Sequence, residues 1–288
     1  MSSVLTLGRF DYDAANVPEP WHLIEAGVAT ATHFAGMTEA PRALAGVIAP
    51  LAAPAKQIRI PFVPREQWVR AARDSCMALS EAVRGTVAAG SRPLILGGEC
   101  SIVAGSVPGL YPRVEDLVLV YFDAHGDFNT LATTPSHFVG GMCLAHVCGK
   151  QLGPLLWPGV RAFPEDRVCL VGARELDPGE RGNLDRSKVR RFALGPDGSG
   201  DASSLVRALR QQRVFLHLDL DVVDPAEMFA VNFPVPGGVS FDALGALLGQ
   251  IAGVSTVVGV EVCGYDPRKD ERRVLPAKII AAMAPTLA

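Results

Sequence analysis

Apolar positions along this chain fall into short unbroken runs, separated by stretches with helical periodicity. The densest run is Leu-Val-Leu-Val-Tyr-Phe at 117–122, which predicts a strand buried on both faces of a parallel sheet. Similar runs at 93–96, 167–171, 214–218 and 257–260 predict further strands, with shorter ones at 4–8 and 58–62. Trp68, Ala72, Cys76, Leu79, Val83 and Val87 recur on one 3.6-residue stripe, predicting a helix over 65–89 that Gly90 can end. Helices are also predicted over 102–109, near 141–148, and over 202–211, 241–251 and 274–283, with Ser240 as N-cap and Gly253 as stop of the 241–251 helix. Residues 41–56 give a short helix at most, and 11–20 and 174–180 read as loops. This alternation implies an α/β fold with a mostly parallel, doubly wound sheet and helices on both faces. Residues that follow the strands of such a sheet gather on one rim, so Cys100, Asp123, His125, Asp127, Asp177, Asp219, Asp221 and Glu261 are expected to converge.

Composition narrows the function classes. The chain has 288 residues, 49% of them hydrophobic and 20% charged, enough for a large core, and one domain over 1–288 is the preferred division. A formal charge of -3 and a pI near 6.1 remove the electrostatic argument for nucleic acid or an anionic membrane. No apolar run is long enough to span a bilayer, and residues 1–10 lack a basic region followed by an apolar stretch, so a cytoplasmic location is expected. Six cysteines show no CxxC spacing and read mostly as small core residues; only Cys100 stands where chemistry is suggested.

The strand at 117–122 stops at Asp123, His125 and Asp127, three metal-capable side chains at every second position. A buried strand gains nothing from ending in two carboxylates unless a cation neutralises them. The strand at 214–218 repeats the pattern with Asp219 and Asp221, while Asp224 before Pro225 reads as a turn residue. One divalent ion leaves four carboxylates strongly anionic, whereas two roughly neutralise them. Carboxylates with a minority of imidazole favour hard or borderline ions, and two Mn²⁺ per chain is the natural choice for a two-metal hydrolase.

These motifs resemble those of the arginase family of ureohydrolases. The likeness rests on Gly97-Gly98-Glu99-Cys100-Ser101 against the family's GGDHS, Asp-Ala-His-Gly-Asp at 123–127, Asp219-Leu-Asp221-Val-Val-Asp-Pro225, and Glu261 on the last strand. It covers about residues 93–267, and the first ninety residues match weakly. The resemblance implies a three-layer α-β-α fold, a binuclear manganese centre, hydrolysis of a guanidino group to urea plus an amine, and a trimer or hexamer. Carried over by position, it makes Asp123 and Asp219 bridging ligands, with Asp127 on one ion and His125 with Asp221 on the other. Glu261 is then the carboxylate that pairs with the guanidinium, the ions share a water of lowered pKa, and Asp127 relays a proton to the departing nitrogen.

Three departures qualify this. Cys100 stands where the family has its first histidine ligand, either as a softer donor suited to zinc, iron or cobalt or as a bystander to a site with one ligand fewer. Gly140, in Ser136-His-Phe-Val-Gly-Gly-Met142, replaces a histidine thought to shuttle protons, with His137, His146 and His217 as stand-ins. His217 is the most interesting, since strand alternation puts it on the side of Asp219 and Asp221. The 230–238 loop lacks the family's usual glycine and threonine pattern, and Phe233 there is expected to narrow the pocket. Asn129 and Ser136 align with arginase positions that bind an α-carboxylate, and Asp177 and Glu180 with acidic residues that meet the α-amino group. Together they predict a clamp for a zwitterionic head group, favouring arginine or an Nω-modified arginine such as N-hydroxyarginine over agmatine. The rival readings are a non-catalytic binding protein of the same fold and a hydrolase of another guanidino or formimino compound.

Overall fold

The computed structural model describes residues 20–48, 57–59, 67–111, 113–114, 116–150 and 154–287. The strand expected at 4–8 and the loop expected at 11–20, apart from Pro20, lie outside these residues.

Among the described residues, eight strands form a single sheet in the order β2-β1-β3-β8-β7-β4-β5-β6, and every strand pair is parallel. In chain order they are β1 (Trp21–Gly27), β2 (Gln57–Arg59), β3 (Arg92–Gly97), β4 (Leu117–Phe122), β5 (Val168–Val171), β6 (Arg190–Phe192), β7 (Arg213–Asp219) and β8 (Thr256–Cys263). The two faces explain why β4 is apolar throughout. Val118, Val120 and Phe122 enter a core with residues of α1 (Ala40–Ile48), α6 (Ala202–Ala208), α7 (Phe241–Val254) and α8 (Leu275–Met283). Leu117, Leu119 and Tyr121 enter a second core with α2 (Trp68–Ala88), α3 (Val103–Leu110), α4 (Cys143–Val147) and Leu184 of α5 (Pro178–Asp185). Side chains alternate across a strand, so the sheet is the middle of three layers.

The strands β1 and β6 and the helix α5 were not expected from the apolar pattern. Leu23 and Ile24 of β1 are buried, but His22 and Glu25 interrupt the run. The expected loop at 174–180 instead runs into α5, which Asp177 and Glu180 open with a capping box and Pro178 as first residue. Ser240 does cap α7, its hydroxyl accepting from Ala243 N, but the helix continues through Gly253 to Val254.

Topology makes the site. From β3 the chain crosses two intervening positions, later filled by β8 and β7, to reach β4. Strand order reverses there, and such a switch point opens a crevice at the carboxyl ends of the strands.

Candidate metal centre

A cavity of about 480 Å³ occupies this crevice, and Cys100, Asp123, His125, Asp127, Asp219 and Asp221 line it. The register places them. Phe122 pairs with Leu218, so Asp123, just past β4, and Asp219, the last residue of β7, stand side by side, roughly 5 Å apart in backbone terms. Asp177, Glu180, Asn129 and Ser136 line the same cavity.

Backbone donors fix the carboxylates. Asp123 Oδ1 accepts from His125 N at 2.6 Å, Asp221 Oδ1 from Ala124 N at 3.0 Å, and Asp219 Oδ1 from Asp221 N at 3.0 Å. Asp127 sits at φ 49°, a left-handed conformation uncommon for a residue with a side chain. Glu180 holds that bend in place: its Oε1 accepts from Phe128 N at 2.8 Å and its Oε2 from Asp177 N at 3.3 Å. Asn129 donates to Asp177 Oδ2 at 2.9 Å and accepts from Thr133 at 2.9 Å. Much of the expected head-group clamp is therefore also internal scaffolding, with Glu180 buried and Asp177 half-buried.

Charge at the site calls for cations. Burial and the neighbouring carboxylates of Asp221 and Asp127 hold Asp123 well above the usual carboxylate range, and burial with Asp221 does the same to Asp219. Burial alone lowers the pKa of His125, but Asp123 and Asp221 outweigh it and lift the imidazole to about 12. A proton there answers a demand for positive charge: Nδ1 lies 3.0 Å from Asp221 Oδ2 and 3.3 Å from Asp123 Oδ1. The ligand atoms fall into two groups, Asp123 with His125 and Asp221, and Cys100 with Asp127 and Cys143. Both donor sets suit divalent ions, so the residues present fit a binuclear centre.

Sequence reasoning missed Cys143, Tyr121 and Glu99 as members of the site. Tyr121 Oη donates to Asp127 Oδ2 at 2.6 Å, and Cys143 Sγ donates to the same oxygen at 3.3 Å. Glu99 lines the cavity; its Oε2 accepts from Thr30 N and Oγ1 while its buried Oε1 has no hydrogen-bond partner, and burial lifts its pKa to about 7. A cysteine at 143 gives no spacing signal, but Tyr121, the last residue but one of the apolar run, shares the strand parity of Asp123.

Two expected residues are elsewhere. Glu261 lies inside β8, paired in register with Ile95 and His217, fully buried and away from the cavity lining. Its Oε1 bonds His217 Nδ1 at 2.6 Å. Gly264, three residues on, reaches the rim; its φ of 85° and a Cβ that would fall 2.3 Å from Asp219 Oδ1 leave room for glycine alone. His217 is equally buried, stacked on Tyr121 at 3.9 Å, so it supports the floor instead of facing substrate. Of the other stand-ins, His137 is exposed and does not line the cavity, and His146 is buried, which lowers its pKa to about 4.

An aromatic cover replaces the missing side chain at Gly140. Phe138 and Phe233 line the cavity and, with Phe34, form two edge contacts and one tilted contact, with centroids 5.0–5.5 Å apart. A Cβ on Gly140 would come within 2.5 Å of the Phe138 ring. Gly140→His is therefore expected to lower the melting temperature, at a cost of about 1–3 kcal/mol for overpacking. Adding Phe138→Ala should return part of that loss, and thermal melts of both variants would expose a freely swinging ring if the single variant melts like the parent.

Comparison with known proteins places the fold in a family. A profile for the arginase family matches residues 25–287. An N(omega)-hydroxy-L-arginine amidinohydrolase from Streptomyces lavendulae is 31% identical over 205 residues, 70% of this chain and 71% of that protein. An arginase from Brevibacillus brevis is 33% identical over 218 residues, 72% of each. The solved native structure of arginase from Bacillus caldovelox superposes with a TM-score of 0.84 at 26% identity, covering 94% of this chain and 98% of that one. The matched span holds all the metal-capable side chains gathered at the rim, and the chain belongs to the arginase family.

Proposed function

We propose that this chain, one ureohydrolase domain over 1–288, hydrolyses the guanidino C–N bond of arginine or of an Nω-modified arginine such as N-hydroxyarginine, giving ornithine and urea or a urea derivative. The observation that carries the reading is the meeting, in one cavity, of two ligand-grade side-chain groups with the Asn129–Asp177 pair. Asp123, His125 and Asp221 would hold one ion and Asp127 with Cys100 the other, and Asp219 would add a carboxylate to the same centre. Divalent ions such as Mn²⁺, when bound, supply a water of lowered pKa and positive charge at the reacting carbon.

The chain's own groups then do the rest. Asp127 holds or passes a proton at Oδ2, the oxygen that Tyr121 Oη already bonds at 2.6 Å. Asp177 accepts the substrate ammonium while Asn129 steadies it, and Ser136, exposed at the rim, donates to the carboxylate. Phe138 and Phe233 keep water from the reacting centre. The burial of Glu261 favours a weakly basic guanidine: a hydroxyl on nitrogen withdraws charge, so such a substrate depends less on a carboxylate partner than arginine does.

The partner in this reading is a small molecule, and a homo-oligomer, trimer or hexamer, in the cytoplasm belongs to the same reading. No helix among the described residues is long and apolar enough to cross a membrane. Comparing kcat/KM for arginine, N-hydroxyarginine and agmatine under manganese, with urea and hydroxyurea assayed, tests it. Agmatine is expected to trail by roughly 10- to 100-fold, the worth of one or two hydrogen bonds to a charged group. Agmatine winning by a wide margin would remove the head-group clamp, and inertness toward all three with no metal bound would favour the binding-protein reading.

A further inference from the structure

Resting on that binuclear reading, we propose that one ion position is a thiolate position built from Cys100, Cys143 and Asp127. It takes a zinc-, cobalt- or ferrous-type ion in preference to manganese. The other position, Asp123 with His125 and Asp221, remains an oxygen- and imidazole-lined site suited to Mn²⁺.

The geometry is that of a three-ligand site with an open fourth position. One ligand atom from each of Cys100, Asp127 and Cys143 lies within 4.8 Å of the other two. Two sulfurs on a tetrahedral ion at about 2.3 Å stand roughly 3.8 Å apart, so side-chain adjustment closes the site. Cys100 and Asp127 line the cavity, whereas Cys143 approaches from behind, at the start of α4. An open position on such an ion therefore faces the substrate.

The alternative is two small buried cysteines that merely fill space. Cys143 is not placed that way. Its sulfur lies 3.3 Å from both Asp127 Oδ2 and Tyr121 Oη, so it joins a polar knot around one carboxylate oxygen, within an otherwise apolar wall. Tyr121 then orients Asp127, as a hydrogen-bonded neighbour commonly orients a metal-binding carboxylate. Binding an ion here releases the two thiol protons to solvent and forms two metal–sulfur bonds.

Cobalt reports sulfur coordination directly, through thiolate-to-cobalt charge-transfer absorption in the near ultraviolet. The full chain, stripped with a chelator and reloaded with Co²⁺ under reducing conditions, is expected to bind two equivalents and show this band. Cys143→Ser and Cys100→Ser should each halve it, while Cys148→Ser leaves it unchanged. Dialysis against excess Mn²⁺ is then expected to remove one cobalt and keep the band. Two bound cobalt ions without the band, or a full band in Cys143→Ser, overturn the thiolate position and leave the binuclear reading standing. Manganese displacing both ions overturns the selectivity. Failure to bind any cobalt overturns the binuclear reading itself. The wild-type spectrum decides the main point even if a cysteine variant fails to fold.

Discussion

Asp123→Asn is expected to reduce bound metal from two equivalents to one or none and to lower kcat/KM by about 10²–10³-fold or more, the scale of losing one fixed electrostatic contact in a catalytic site. The same change is expected to stabilise the metal-free chain. Asp123 is 1% exposed and crowded by Asp221 and Asp127, so its charge is a liability without a cation, and the neutral amide removes it. Two melts therefore move in opposite directions. Without metal the variant melts higher than the parent, and with saturating manganese it lacks the parent's ligand-linked gain, about 2.7 kcal/mol at a hundredfold excess over Kd.

The pH dependence has a definite sign as well. Asp123 and Asp219 have folded-state pKa values raised above those of the unfolded chain, so the folded, metal-free protein holds more protons. Its stability falls as pH rises from the ordinary carboxylate range through those raised values. Metal reverses the trend, because binding requires the deprotonated ligands. In Asp123→Asn the decline without metal should be shallower. A variant that still binds two manganese ions at parental affinity would remove Asp123 from the centre.

How much of this was legible depended on which physical constraint each residue answered to. The β4 run was readable because both faces of the strand are buried, and so were Asp123, Asp127, Asp219 and Asp221, because carboxylates directly after such a run demand explanation. Glu261 was hard to place for the converse reason. A lone acid in an apolar strand looks the same one turn of pleat from the rim or deep inside the sheet. Only the pairing of β8 with β3 and β7, which sets Glu261 opposite Ile95 and His217, distinguishes them. Cys143 was beyond reach because its sulfur meets Asp127 through a turn of short helices with no periodic signature. The α5 start was within reach: Asp177-Pro-Gly-Glu180 is a capping-box pattern with proline at the first helical position, and reading it as a substrate loop hid its structural use.

Glu261→Ala is expected to act on stability before it acts on substrate. The carboxylate and His217 form a fully buried pair at 2.6 Å between β8 and β7, and removing one partner strands the other in the sheet interior. Breaking such a pair costs about 3–5 kcal/mol, enough to lower the melting temperature by roughly 10 °C in a chain of this size. Glu261→Gln, which keeps the volume and an acceptor oxygen, should lose less. The consequence at the site is indirect: His217 stacks on Tyr121, and Tyr121 bonds Asp127, so loosening the pair disturbs a ligand's orientation and lowers kcat. KM should stay within about threefold, since no atom of Glu261 faces the cavity and uniform binding is untouched. A guanidinium-binding carboxylate predicts the reverse, a large rise in KM with an unchanged melting temperature. Measuring both quantities on Glu261→Ala and Glu261→Gln separates the two roles, and the second pattern would return Glu261 to the substrate.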